Sequence, residues 1–199
     1  MKRMISLLLV LTMVAAVFAG CGSKQSAGDT TGAAVVEPKS ALEMLETVWG
    51  LYADNEKFAV MGGDEMVMDA PGAVAMGGAE NPLWTLYVPD DQLANITEAA
   101  TMVHAMNLNT FTSGVVKLAD GADVKAFAQT MRDTILNTQW MCGFPEKLIV
   151  ANIGSYVLIA FGMDGISFPD DGALMTTFKT HLQEAYADAS ILFEEDLLK

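Results

Sequence analysis

The chain has 199 residues, is 52% hydrophobic and carries a formal net charge of −14, with 25 acidic side chains against 11 basic ones. That balance argues against a nucleic-acid binder, because an acidic surface is repelled by a phosphate backbone, and equally against adhesion to anionic lipid headgroups. Two cysteines are too few for a disulfide scaffold, and the length suits one domain with a sizeable core.

The chain opens on Lys2 and Arg3, then runs almost wholly apolar from Met4 to Ala19, broken only by Ser6 and Thr12. A positive cap before an apolar stretch is the pattern of a secretory signal. The stretch is shorter than the roughly 20 residues that span about 30 Å of hydrocarbon. It ends in Phe18-Ala19-Gly20-Cys21, which resembles the lipobox of bacterial lipoproteins, with Phe18 where that family usually has Leu. The resemblance implies removal of residues 1–20 as a signal peptide and a diacylglycerol on the Cys21 thiol, with acyl chains such as palmitate. Two or more chains give firm attachment, at about 0.8 kcal/mol per buried methylene. The expected location is therefore the outer, extracytoplasmic face of the cell membrane, with the membrane as a partner through lipid on Cys21. Residues 21–38, rich in Gly, Ser, Thr and Ala without apolar periodicity, read as the lipidated cysteine and a flexible stalk. Residues 39–199 read as a single globular domain.

Ser40-Ala41-Leu42-Glu43 is a capping-box pattern, and Leu42, Leu45, Val48, Trp49 and Tyr52 follow at helical spacing, predicting a helix over about 40–54. Residues 58–82 are irregular, rich in glycine and methionine, and interrupted by Pro71 and Pro82. Within them Met61-Gly62-Gly63 is echoed by Met76-Gly77-Gly78, and Met66-Val67-Met68-Asp69 fits a short strand between two turns. Pro89-Asp90-Asp91 followed by Leu93, Ile96, Ala100 and Val103 predicts a helix over about 91–105. Thr110 to Leu118 reads as a strand, and Val124, Phe127, Met131 and Ile135 as the apolar stripe of a further helix. Leu148 to Ala151 and Tyr156 to Phe161 are apolar strands joined closely enough for an antiparallel hairpin. Pro169-Asp170-Asp171-Gly172 is expected to cap a last helix striped by Leu174, Phe178, Leu182 and Ala185, before a tail that is an edge strand or a frayed helix. The expected fold is α+β: a small antiparallel sheet built on a central hairpin at about 147–162, with helices packed mainly on one face.

The stretch from Asp123 to Gly162 resembles DUF4358, a domain of unknown function of Gram-positive lipoproteins. The resemblance rests on Asp123-Val124-Lys125, the helix with Arg132, Gln139 before an aromatic, Pro145, and the hairpin ending in Tyr156-Val157-Leu158-Ile159. It covers about a third of the chain after the lipobox and implies location and fold type alone, because the family has no established activity.

A search for chemistry yields no HExxH, CxxC, Gly-x-Ser-x-Gly, Walker or dinucleotide fingerprint. A zinc site from His104, His181 and Cys142 would need a rare convergence, so no metal and no cofactor is expected. With Cys21 lipidated, Cys142 stands alone among Trp140, Met141, Phe144 and Pro145 and reads as a small buried hydrophobe. Carboxylates are plentiful, but no pair stands out. Methionine is unusually frequent, and the group Met61, Met66, Met68 and Met76 offers either core filling or an adaptable contact surface. With Trp84 and Tyr87 nearby as anchors, these are the candidate binding residues, and no catalytic residue is assigned. The expectation is a lipid-anchored extracytoplasmic module that binds an unknown small ligand or envelope protein and is not an enzyme. A carboxylate-based envelope hydrolase and a structural accessory of a membrane complex are the alternatives.

Overall fold

Burial is almost continuous along three neighbouring strands, which requires cover on both faces of a sheet. A computed structural model describes residues 37–166 and 172–198, all within the unit Ala34–Lys199 into which the chain divides. The signal segment, Cys21 and the expected stalk lie outside these residues, apart from Glu37 and Pro38, as do Pro169, Asp170 and Asp171.

Helix α1 spans Ala41–Gly50 and starts as its sequence dictates. The Ser40 hydroxyl accepts from the Glu43 N–H at 3.0 Å. The Glu43 carboxylate reaches back to the Lys39 N–H at 2.6 Å, one residue earlier than a capping box would place it. That backbone bond, with the Lys39 ammonium beside it, holds the Glu43 carboxyl below its ordinary range. The Ala41 N–H, which the helix cannot satisfy, donates to Glu98 of a strand beneath at 2.6 Å. The helix stops at Gly50, short of the expected 54, although Tyr52 still turns its ring into the core.

Among the described residues, eight antiparallel strands make up the sheet. They are β1 (Val60–Gly62), β2 (Val67–Met68), β3 (Gly72–Val74), β4 (Ile96–His104), β5 (Phe111–Leu118), β6 (Lys147–Ile153), β7 (Tyr156–Gly162) and β8 (Ser190–Asp196). Their order is β2-β1-β4-β5-β7-β6-β8, with β3 also on the outer edge of β4. The fold is α+β, and the β6–β7 hairpin sits inside the sheet with strands on both sides. Its register leaves Gly154 and Ser155 as the two-residue turn, with Gly154 at φ +56, where a side chain would be strained.

Helices α1 and α3 (Leu174–Ala185) cover one face, packing on Met102, Phe111, Leu158 and Ala160. Helix α2 (Val124–Leu136) covers the other with Phe127, Met131 and Ile135 against Val150, Val157 and Ile159. Asp123 caps α2 by accepting from the Lys125 and Ala126 N–H groups. The N-cap of α3 is Ala173, which offers no side-chain bond; Asp164 instead accepts from the Thr176 N–H at 2.7 Å.

The helix expected over 91–105 is absent. Asp90–Asn95 forms a 3-10 turn and β4 follows at Ile96. Apolar spacing misled because Ala99, Ala100, Thr101, Met102 and Val103 are all buried in a strand covered on both faces, so a helical subset can be drawn from it. The β-branched Ile96, Thr97, Thr101 and Val103 are the residues that favour the extended form. The tail is resolved as an edge strand. Its charges protect the edge: Glu195 pairs with Arg132 of α2, and Glu194 with Lys179 of α3.

Cys142 is exposed rather than buried. Within the loop 138–146, Trp140 and Glu146 turn inward, while residues 141–143 between them are held by their main chain. Asn107 donates to the Cys142 carbonyl at 2.9 Å, and Asn109 to those of Met141 and Gly143. With the backbone satisfied inward, Met141, Cys142 and Phe144 face out.

Candidate functional site

Strands β1 and β3 occupy successive stretches of the same β4 edge, pairing with Val103–His104 and Ala99–Thr101 respectively. Between them the chain leaves the sheet and returns, folding β2 back on β1 so that Met68 opposes Met61. Departure and return meet at Gly62 and Gly72. A Cβ on Gly62 would lie 2.2 Å from the Gly72 nitrogen, so only two glycines permit this crossing.

The excursion is tied down at its base. Gly63 N–H donates to the Thr101 hydroxyl at 3.0 Å, Ala75 N–H donates to the Asp64 carboxylate at 2.6 Å, and the Trp49 indole of α1 donates to the Asp69 carbonyl at 3.0 Å. Met66 and Asp69 adopt left-handed backbone at φ 48 and 59, a conformation that costs energy for a non-glycine residue and recurs at ligand-binding sites. At the tip, Met66, Val67 and Met68 are exposed.

A second wall comes from the 3-10 turn Trp84–Leu86. Leu86 anchors it by inserting over Gly114 of β5, where a Cβ would lie only 2.3 Å from the Leu86 methyl. Asn81 fixes the approach, donating to the Val88 carbonyl and accepting from the Leu83 N–H. With Leu86 held inside, Trp84 is left 63% exposed.

The two walls enclose a groove of about 410 Å³ floored by Val74, Thr101, Val103 and Leu108. Met61, Met66 and Trp84 line it, so three of the six candidate binding residues converge. The other three do not. Met68 points outward from β2, and Met76 lines a separate depression with Leu93 and Ile96. Tyr87 is half-buried at φ 58, its ring 5.3 Å from Trp140 and 5.8 Å from Phe161, as part of the packing over α2's face. Thr101, Val103 and Leu108 were not foreseen as groove residues, because the segment that carries the first two reads as helix. Asp64 is the one carboxylate among the described lining residues, and its bond to Ala75 orients it.

The two histidines stand apart. His104 Nδ1 accepts from the Met106 and Asn107 N–H groups, with its ring stacked on Phe58. His181 packs on Tyr52 between Glu56 and Glu184. Among the described residues, no group of three or more His, Cys, Asp or Glu is placed to hold a metal ion, and no helix is long and apolar enough to cross a membrane.

In comparisons with known proteins the chain matches no family model, no curated protein and no solved structure.

Proposed function

We propose that the protein is a lipid-anchored extracytoplasmic binding module, tethered through Cys21 and receiving an apolar group in the groove between Met61, Met66 and Trp84. The observation that carries this reading is the groove itself. Its volume falls in the range of ligand pockets, its lining is mainly apolar, and it stands on a sheet edge that fixes its shape. Methionine adapts to irregular partners, and tryptophan is enriched among the residues that carry binding energy. The lipobox residues and the Asp123–Gly162 resemblance to DUF4358 lipoproteins support the address; they add nothing about the ligand.

The envelope-hydrolase alternative draws no support from the groove. Asp64, the one carboxylate among the described lining residues, is bonded to a main-chain N–H, and that lining holds no second carboxylate to complete the acid–base pair of a glycosidase. The accessory-subunit alternative gains from one observation. Outside the groove Met106, Met141 and Phe144 are also exposed, and exposed apolar side chains on linked loops suit a protein partner better than a small molecule.

The test is titration of the purified protein with a neutral solvatochromic dye. Saturable binding weakened about tenfold by Trp84→Ala or Met66→Gln is the expected result, in line with loss of an interface anchor. Unsaturable binding, or binding indifferent to both variants, refutes the groove as the site. The mass of the protein extracted from membranes is expected to show loss of residues 1–20 and an acyl-glyceryl adduct on Cys21; an unmodified Cys21 would refute the anchor.

A further inference from the structure

The register of the strands divides the sheet into two ends. His104 of β4, Phe111 of β5, Gly162 of β7 and Lys147 of β6 mark one end, and the Gly154-Ser155 turn marks the other. The groove runs along the face of β4, from the level of Ala99, opposite Val74, toward the first end, where Leu108 in the β4–β5 loop forms part of its floor. The same loop carries Met106, 85% exposed, and through Asn107 and Asn109 it holds the loop that presents Met141 and Phe144, which are 79% and 61% exposed. Met106, Met141 and Phe144 thus add exposed apolar side chains at the same end of the sheet as Leu108.

The described chain begins at the opposite end. Glu37 lies over the hairpin turn, where a Cβ on Gly154 would be 1.6 Å from its carboxylate. Seven-residue strands separate the two ends by about 20 Å. The charge around the groove argues against anionic lipid. The excursion between β1 and β3 carries Asp64, Glu65 and Asp69 and no Lys or Arg, while Lys57 lies over the ring of Trp49, whose indole bonds the Asp69 carbonyl. Asp64 lines the groove, and Glu65 and Asp69 stand exposed on the same excursion as Met66.

An adaptable methionine and tryptophan groove edged by carboxylates is complementary to a polypeptide that presents apolar anchors among cationic side chains. We infer that the natural occupant is a basic amphipathic segment of another protein, its apolar side chains seated against Met61, Met66 and Trp84 and its Lys or Arg side chains facing Asp64, Glu65 and Asp69. This inference rests on the groove being a binding surface and adds the chemistry of the partner.

The test uses labelled amphipathic helical peptides of Leu with Lys, Leu with Gln, and Leu with Glu, followed by fluorescence anisotropy on the full protein. The Lys peptide is expected to bind about tenfold tighter than the Gln peptide, and the Glu peptide not measurably. Raising salt to physiological strength should weaken the Lys peptide several-fold and leave the Gln peptide unchanged. The double variant Glu65→Gln/Asp69→Asn should lose about fivefold for the Lys peptide. Asp120→Asn/Asp188→Asn makes the same charge change at exposed positions beside the far ends of β5 and β8, and should lose less than about twofold. Equal affinity for the Lys and Gln peptides, or equal loss in the two double variants, overturns the inference. If the Gln peptide still binds and Trp84→Ala abolishes it, the groove reading survives that failure. Failure of every peptide, or preferential binding to vesicles of anionic phospholipid, also overturns the inference, and the neutral dye then decides separately whether the groove binds at all.

Discussion

Replacing Gly72 by Ala tests whether the excursion that walls the groove depends on a main-chain crossing. The added Cβ would stand 2.3 Å from the Gly62 oxygen, 2.4 Å from its carbonyl carbon and 2.7 Å from the Gly63 nitrogen. Every one of these atoms is backbone, so no side chain can swing aside, and β1 and β3 must separate by about 1 Å to restore ordinary contact. Separation pulls on the Gly63 bond to Thr101 and on the Asp64 N–H bond to the Ala73 carbonyl. Overpacking costs about 1–3 kcal/mol and each of the two strained hydrogen bonds adds about 1 kcal/mol, which gives about 3–5 kcal/mol in all. For a domain of this size that is a fall in Tm of roughly 6–20 °C.

Two other glycines calibrate the result. At Gly114 the added Cβ meets only the Leu86 side chain, which can rotate inside its buried site, so Gly114→Ala should cost about 1–2 kcal/mol. At Gly50, the last residue of α1, nothing lies within 4 Å, and Ala should stabilise by about 0.5–1 kcal/mol. The assay is urea unfolding followed by circular dichroism, with dye titration of the groove alongside. The expected stability order is Gly50→Ala, wild type, Gly114→Ala, Gly72→Ala, with groove binding lost in the last. A Gly72→Ala protein within about 0.5 kcal/mol of wild type, with its groove intact, would refute the close crossing.

Three further outcomes are expected. The Tyr52 hydroxyl is buried with no hydrogen-bond partner among the described residues, and burial, helped by the Glu56 charge, pushes its pKa up. A raised folded pKa means stability that is full below the unfolded value near 10 and is lost at higher pH, where the unfolded chain releases a proton that the fold retains. Tyr52→Phe should therefore leave stability at pH 7 equal or up to about 1 kcal/mol higher, and flatten the alkaline loss; a steeper loss in urea midpoints above pH 10 would contradict this. Glu146 is fully buried and its Oε2 accepts from the Asp164 and Ile166 N–H groups at 2.6 and 2.9 Å. Glu146→Ala should cost about 2–4 kcal/mol and speed amide exchange at residues 164 and 166, while Glu146→Gln, whose amide oxygen can still accept, should cost less; equal effects would place the contribution elsewhere. Cys142 should react with a maleimide in the native state at a rate close to that of the unfolded chain, and a requirement for denaturant would show that the loop covers it.

Local chemistry was readable wherever it is decided by neighbours in sequence. Ser40 and Asp123 announce the starts of α1 and α2 because a short acceptor side chain satisfies N–H groups two or three residues on. The stripe of α2 is legible because its outer face meets water and had to be polar. The β6–β7 hairpin follows from two apolar runs separated by a turn too short for any other connection. Of the groove, the sequence indicated Met61, Met66 and Trp84 through composition alone. Tertiary structure decided the rest. Whether Ile96 to His104 is helix or strand depends on what lies above and below it, since a strand buried on both faces has no polar side to reveal its period. Cys142 is exposed because asparagines thirty residues away take up its loop's carbonyls, and nothing near it in sequence shows that. The groove exists because β1 and β3 share the edge of β4 and cross at two glycines, a long-range contact that brings Met66 opposite Trp84. Spacing along a chain fixes which side chains share a face, but a concave site needs faces from separate segments, and only their packing sets the distance between them.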